Sequence, residues 1–121
     1  MTSQPFVTGY QGLFNPGQQV VIANSQQESA AINCGGMVLC GIFLPAAFTG
    51  TALTFEASTA IDGTYVAVKS TASGTALTYT VAQGTYCAID PKDFQGIQFL
   101  KIKSGSAEGA DRTLTLSLKG F

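Results

Sequence analysis

Residues 43–57 read FLPAAFTGTALTFEA, and residues 58–70 read STAIDGTYVAVKS. Apolar and polar side chains alternate along the end of the first stretch, with the apolar set at Leu53, Phe55 and Ala57. This period of two is typical of a half-buried β-strand. The second stretch contains Ile-Asp-Gly-Thr at 61–64, a hairpin signal because Asp-Gly tolerates positive φ angles. A further strand follows over 64–69, so the region predicts paired antiparallel strands.

The same type of pattern extends over most of the chain. Strands are predicted over residues 18–23, 28–33, 37–44, 51–58, 64–69, 75–82, 85–90, 97–103 and 112–121. The apolar run at 37–44 is consistent with a strand buried on both faces. A single helical turn is predicted at 90–96, with Asp90 as its cap and Pro91 at its first position. About nine short strands without a long helix predict an all-β protein, an antiparallel β-sandwich of jelly-roll or Ig-like type.

The N-terminal residues lack this pattern. We divide the chain into an irregular arm, residues 1–16, and a β-sandwich domain, residues 17–121. The arm carries four apolar side chains that are candidates for partner binding: Phe6, Tyr10, Leu13 and Phe14. Two interpretations stay open, in which the arm packs on its own domain or lies across a neighbouring subunit. Because several exposed aromatics are a liability in solution, we hypothesise that the arm docks on a neighbour.

Charge and hydropathy exclude several classes of partner. The chain has 121 residues, of which 6 are basic and 7 acidic, with a net charge of −1. Such a chain lacks the basic face that nucleic acid binding requires. No apolar run is long enough to cross a membrane, and the N-terminus does not resemble a secretory signal. We therefore expect synthesis in the cytoplasm and association through weakly charged surfaces.

The residues that usually carry catalysis are scarce. There is no histidine, so none of Cys34, Cys40 and Cys87 has a His partner that would activate a catalytic thiol. We interpret these cysteines as reduced, buried, small apolar side chains. Asp90 and Asp93 are interpreted as part of a capped turn rather than as calcium ligands. The sequence predicts no enzyme activity, no metal and no cofactor.

Two further pairs of residues were weighed. Glu56 and Glu108 cannot be placed near each other from sequence, so a glycosidase carboxylate pair has no support. Most aromatic residues fall within strands and are expected in the core. Tyr10 and Tyr86 are the candidates for an exposed platform that would stack on a sugar.

The segment from residue 36 to 121 resembles a family of small structural proteins from tailed bacteriophages. The resemblance rests on an apolar strand ending in Leu44-Pro45, the turn Phe-Thr-Gly-Thr at 48–51, the motif Asp-Pro-x-x-Phe at 90–94, a strand ending in Ser104-Gly105 and a Thr-rich closing strand. Related proteins lie on virions, as head decoration (cement) proteins or as parts of tails and fibres. No catalytic residue is implied, because the matched motifs contain none.

The resemblance implies a virion protein on the capsid surface. On this expectation the chain decorates and stabilises an assembled capsid by binding the major capsid protein. A homotrimer is expected, because threefold positions repeat over a shell. The alternative is a tail or fibre domain that binds a carbohydrate or a host surface.

Overall fold

The computed structural model describes residues 14–70 and 72–120. These residues form nine β-strands and one 3₁₀ helix. The strands are β1 (Phe14–Ile22), β2 (Ile32–Asn33), β3 (Val38–Phe43), β4 (Ala52–Ser58), β5 (Val66–Ala67), β6 (Tyr79–Thr80), β7 (Tyr86–Ala88), β8 (Phe99–Ser104) and β9 (Arg112–Lys119). The 3₁₀ helix spans Pro91–Phe94. The prediction of an all-β, antiparallel sandwich of about nine strands is confirmed.

The described strands form two antiparallel sheets with a simple pairing rule. Sheet A has the order β1-β9-β3-β7, and sheet B has the order β2-β8-β4-β5, with β6 also paired to β4. Strands from the first half of the chain pair with their counterparts in the second half: β1 with β9, β2 with β8, β3 with β7, and β4 with β5 and β6. The chain is thus one long antiparallel hairpin wrapped into two layers, which is the arrangement of a jelly roll.

The core lies between the sheets, and the longer strands β4, β8 and β9 fill it with alternate residues. In β9 the inward residues are Leu114, Leu116 and Leu118, and in β4 they are Leu53 and Phe55. All five side chains are at most 2% exposed. Both sets follow the predicted alternation, which places every second residue on the same face of a strand. β8 lies between β2 and β4.

One face of β3 is less buried than the sequence predicted. The strand is central in sheet A, between β9 and β7, but its pairing with β9 is irregular between Leu39 and Gly41. This bulge at Cys40 lets Leu39 and Ile42, three residues apart, both reach the core. Phe43 instead faces outward and is 49% exposed. The prediction that residues 37–44 are buried on both faces is therefore wrong at Phe43.

The first strand begins earlier than the sequence indicated. β1 starts at Phe14, rather than at residue 18, so Phe14 and Asn15 of the proposed arm pair with β9. The pairing shifts between Asn15 and Gln18, around Pro16. Proline is tolerated there because β1 is an edge strand and the ladder is already interrupted. Phe6, Tyr10 and Leu13 lie outside the described residues, so the arm stays a prediction.

Both predicted turns form, but the second does not have the backbone conformation that the sequence predicted. Asp90 caps the 3₁₀ helix, and its carboxylate accepts a hydrogen bond from the Lys92 backbone N–H at 3.0 Å, as predicted. Asp62 and Gly63 lie between β4 and β5, as predicted, but Gly63 does not have a positive φ angle. A Cβ at Gly63 would instead come within 2.6 Å of the Ser58 hydroxyl oxygen. Glycine is required here by close approach rather than by backbone handedness.

Glu108 ties together the loops at one end of the sandwich. Its side chain is fully buried, at 0% exposure, in the loop between β8 and β9. One carboxylate oxygen accepts from the Thr49 backbone N–H at 3.0 Å and from Arg112 Nε at 3.0 Å. The other accepts from the Gly50 N–H at 3.0 Å and from the Ser104 hydroxyl at 3.2 Å. These donors join the β3–β4 loop to the ends of β8 and β9.

The environment of Glu108 keeps its carboxylate ionised. Burial alone would raise the pKa of Glu108, but hydrogen bonds from the Thr49 and Gly50 N–H groups and from Arg112 outweigh burial and lower it. Gly50 permits this approach, because a Cβ there would lie 2.1 Å from the Ser104 hydroxyl oxygen. The charge is thus held by four donors that together leave no carboxylate oxygen without a partner.

We predict that Glu108→Gln lowers the free energy of unfolding by about 1.5–3 kcal/mol at neutral pH, the usual worth of a charge-assisted hydrogen bond. A carboxyl whose folded-state pKa is lowered stabilises above its unfolded pKa and loses that contribution as pH falls through the folded pKa. The difference in unfolding free energy between wild type and variant should therefore shrink as the pH falls below 4.5, the ordinary pKa of a glutamate side chain. Urea unfolding at about pH 7 and about pH 3 measures both effects.

Asp62→Asn is the matched control, because Asp62 is an exposed carboxylate in a surface turn. It should change the unfolding free energy by less than about 0.5 kcal/mol at either pH. An unchanged urea midpoint for Glu108→Gln at neutral pH would show that the carboxylate does not hold the loops together.

Candidate functional site

The outward face of sheet B is charged, and its charges pair with one another. We call Glu28, Glu56, Tyr65, Lys101 and Lys103 the charged face. Glu56 lies opposite Lys101 in the β4–β8 ladder, and Glu28 bridges to Lys103. Lys101 Nζ lies 3.6 Å from Glu28 Oε1 and 4.5 Å from the centre of the Tyr65 ring. Each lysine thus has an acidic or aromatic neighbour on the same face.

The two carboxyl groups of the charged face influence each other. Interaction with the Glu56 carboxyl lowers the pKa of Glu28, and Lys101 lowers it further. The same interaction raises the pKa of Glu56. Glu108, by contrast, is buried among Thr49, Gly50, Ser104 and Arg112. The structure therefore places Glu56 beside Glu28 and does not bring it together with Glu108.

The outward face of sheet A has a different chemistry. We call its outward residues Gln19, Val21, Gly41, Phe43, Tyr86, Thr113 and Thr115 the neutral face. Two rows of the sheet define it: Val21 opposite Thr113, and Gln19–Thr115–Phe43–Tyr86 across all four strands. Directly opposite residues share a face of the sheet. The charged residues of β9 lie at its two ends, Arg112 and Lys119.

An aromatic pair forms the centre of the neutral face. The rings of Phe43 and Tyr86 are 4.5 Å apart between centroids and tilted by 50°. Their side chains are 49% and 45% exposed, and Val21 at the other side of the sheet is 40% exposed. The Tyr86 ring extends over Gly41, where a Cβ would come within 1.8 Å of its hydroxyl oxygen. Glycine in β3 therefore allows the Tyr86 ring to lie along the sheet.

The predicted site residues are distributed unevenly over these surfaces. Tyr86, a candidate platform residue, lies on the neutral face. Phe14 begins β1 opposite Lys119, at the end of sheet A. Phe6, Tyr10 and Leu13 lie outside the described residues. Phe43 is not among the predicted site residues, because the Cys40 bulge that turns it outward has no clear signal in an unbroken apolar run.

The three cysteines are free, as expected, but only Cys34 is buried, whereas Cys40 and Cys87 are half-buried. Burial raises the pKa of Cys34 to about 11, and it raises the pKa of Cys87 as well. Within the described ranges, no group of three or more His, Cys, Asp or Glu side chains is placed to hold a metal ion. No helix in the same ranges has the length and hydropathy needed to cross a membrane.

No protein-family model matches this chain, and comparison with curated proteins and with solved structures also finds no match. Inference about function therefore rests on the chemistry of the charged face and the neutral face.

We predict that Gly41→Ala displaces the Tyr86 ring, because the new methyl group would occupy the space of its hydroxyl end. Because the Tyr86 side chain is 45% exposed, its ring can move away from the sheet, and the unfolding free energy should change by less than about 1 kcal/mol. The aromatic NMR signals of Tyr86 should shift. Gly109→Ala is the matched control, because a Cβ at Gly109 meets no atom within 4 Å. Unmoved Tyr86 signals in Gly41→Ala would contradict the assigned contact.

We also predict that Cys34 resists alkylation in the folded protein. Its raised pKa, about 11, leaves a very small thiolate fraction near neutral pH, and burial blocks the reagent. Iodoacetamide labelling followed by peptide mass spectrometry should modify Cys40 and Cys87 before Cys34. Labelling in urea is the control, and there the three rates should converge. Rapid modification of Cys34 in the folded state would show that this part of the core opens readily.

Proposed function

We propose that this chain is a structural virion protein that decorates and stabilises an assembled bacteriophage capsid. In this proposal the neutral face of sheet A docks on the major capsid protein. The observation that supports it best is the contrast between the two outward faces of the sandwich. On the charged face Lys101 and Glu28 form an ion pair, whereas the neutral face exposes Phe43, Tyr86 and Val21 together.

The composition of the neutral face suits a protein partner. The cores of protein interfaces are depleted in charge and enriched in aromatic residues. Binding energy is concentrated in a few such residues, with polar neighbours that exclude water around them. Phe43 and Tyr86 would be the anchors, and Gln19, Thr113 and Thr115 would supply the surrounding polar contacts. A flat sheet face of this kind fits a flat, uncharged patch on a capsid subunit.

The mechanism follows from mass action. A protein that binds the assembled shell, but not free subunits, stabilises the shell in proportion to its occupancy. Threefold positions of the shell would suit a homotrimer of this chain. The sequence resemblance to tailed-phage virion proteins points the same way. Jelly rolls also occur in viral capsid domains and lectins, which is an analogy of fold alone.

The second candidate is a tail or fibre domain that binds a carbohydrate. The observation in its favour is the Phe43–Tyr86 pair, whose exposed rings lie beside Gln19 and Thr115 in one row. Aromatic rings present an apolar surface on which a sugar ring can stack, and neighbouring amide and hydroxyl groups can hydrogen-bond its hydroxyls. This arrangement and the capsid interface use the same residues, so location on the virion distinguishes them.

Immunogold labelling of purified virions from the genome that encodes the chain tests the proposal. Many gold particles over the head are expected for a decoration protein. A few particles at the tail would favour the carbohydrate-binding alternative. Virions without label, in preparations where the protein is present in the lysate, would contradict both candidates.

We predict that Phe43→Asp reduces occupancy on particles that lack the native protein by at least about tenfold, which corresponds to 1.4 kcal/mol. A buried, unpaired carboxylate at the centre of an interface is strongly unfavourable. Ile61→Asp is the matched control, because Ile61 has 47% exposure, close to the 49% of Phe43, and lies in the turn after β4. Titration followed by particle sedimentation measures occupancy. Equal binding of the two variants would exclude the neutral face as the docking surface.

A further inference from the structure

The end of the sandwich opposite Glu108 carries an uncharged groove that crosses from sheet A to sheet B. One part, of about 210 Å³, is lined by Gly36, Met37, Val38, Gly96, Ile97 and Gln98. The adjoining part, of about 390 Å³, is lined by Ala57, Ser58, Thr59, Thr64, Val66, Gly96 and Ile97. Gly96 and Ile97 line both parts, so the two adjoin. Val66 is 62% exposed there, the largest value among the exposed apolar side chains described.

Two glycine turns shape the groove. Gly36 and Gly96 have φ angles of +82° and +87°, and a Cβ at either position would meet no atom within 4 Å. Both turns are held close together, because the Cys34 N–H donates to the Gln98 carbonyl at 2.7 Å. The backbone is thus fixed on both sides of a space that no described side chain fills. Such a space suits an apolar segment from elsewhere.

The chain enters the described fold at this end. Phe14, the first described residue, lies opposite Lys119, which lies opposite Val38 in the next ladder. Two strand spacings, about 10 Å, therefore separate Phe14 from Val38 at the start of the groove. The 13 residues that precede Phe14 can span up to about 43 Å when extended. Their length is sufficient to follow the groove from Val38 to Val66.

We propose that this groove is the docking site for residues 1–13 of the same chain, in place of the neighbouring subunit suggested by the sequence. The segment reads MTSQPFVTGYQGL and has no charged side chain, which matches the uncharged lining. Phe6 and Tyr10 supply the apolar groups that would cover Ile97 and Val66. A tethered segment has an effective concentration in the millimolar range, so it competes well against a second copy in dilute solution. This docking is independent of the capsid proposal and leaves the neutral face free.

Limited chymotrypsin digestion of the full chain tests the docking. Chymotrypsin cuts after Phe6 and Tyr10, and intact-mass measurements follow the loss of the arm. When the arm leaves and re-enters the groove faster than it is cut, the cleavage rate reports the fraction of molecules with the arm undocked. Val66→Lys should accelerate cleavage about tenfold, since it places a charge in the uncharged groove beside the apolar side chains of the arm. Val21→Lys is the matched control on sheet A and should leave the rate unchanged. Equal rates for wild type and Val66→Lys would overturn the proposal.

A second measurement distinguishes an arm that docks on its own chain from an arm that docks on a second copy. In a mixture of isotope-labelled and unlabelled protein, filtered NMR experiments detect contacts between different chains only. Contacts of Phe6 or Tyr10 with Val66 or Ile97 are expected in the uniformly labelled sample and not in the filtered one. Contacts that persist in the filtered experiment would show that a neighbour's arm fills the groove. Their absence from both samples would show that the groove does not hold the arm. Either outcome overturns the proposal.

Discussion

A buried carboxylate without donors would destabilise any fold, and the jelly roll around Glu108 is arranged so that this does not happen. Its two oxygens accept from two backbone N–H groups, one hydroxyl and one guanidinium. Burial of an ion pair adds little net stability compared with an apolar pair, but loss of one partner is strongly unfavourable. The network therefore acts mainly by specifying one arrangement of the loops. Gly50 and Ser104 are part of the same constraint, because only glycine allows their close approach.

The outward faces of the two sheets differ in the charge of their side chains. On sheet B, Lys101 contacts both Glu28 and Tyr65, so the polar groups satisfy one another. On sheet A, the row through Thr115, Phe43 and Tyr86 offers uncharged and aromatic groups with large exposed area. The proposal that a partner docks on sheet A rests on this difference between the two faces.

The two ends of the sandwich differ as well. The Glu108 end is closed by hydrogen bonds, whereas the opposite end, between the Gly36 and Gly96 turns, stays open around Ile97 and Val66. The chain enters the described fold at the open end. The proposed site for the arm and the proposed docking face on sheet A are therefore separate surfaces, and each can be tested without disturbing the other.

Local sequence determined much of this protein. The alternation at Leu53 and Phe55 places β4 in the core, and the leucines of β9 do the same, since side-chain period depends on strand geometry alone. Asp90 and Pro91 specify their 3₁₀ turn because both act within a few residues. Tertiary structure decided the rest. The Cys40 bulge, the exposure of Phe43 and the burial of Glu108 depend on ladder register and on donors such as Thr49, which is far away in sequence. Sequence patterns report the period of a strand but not its partner, and partners decide which residues are left on the surface.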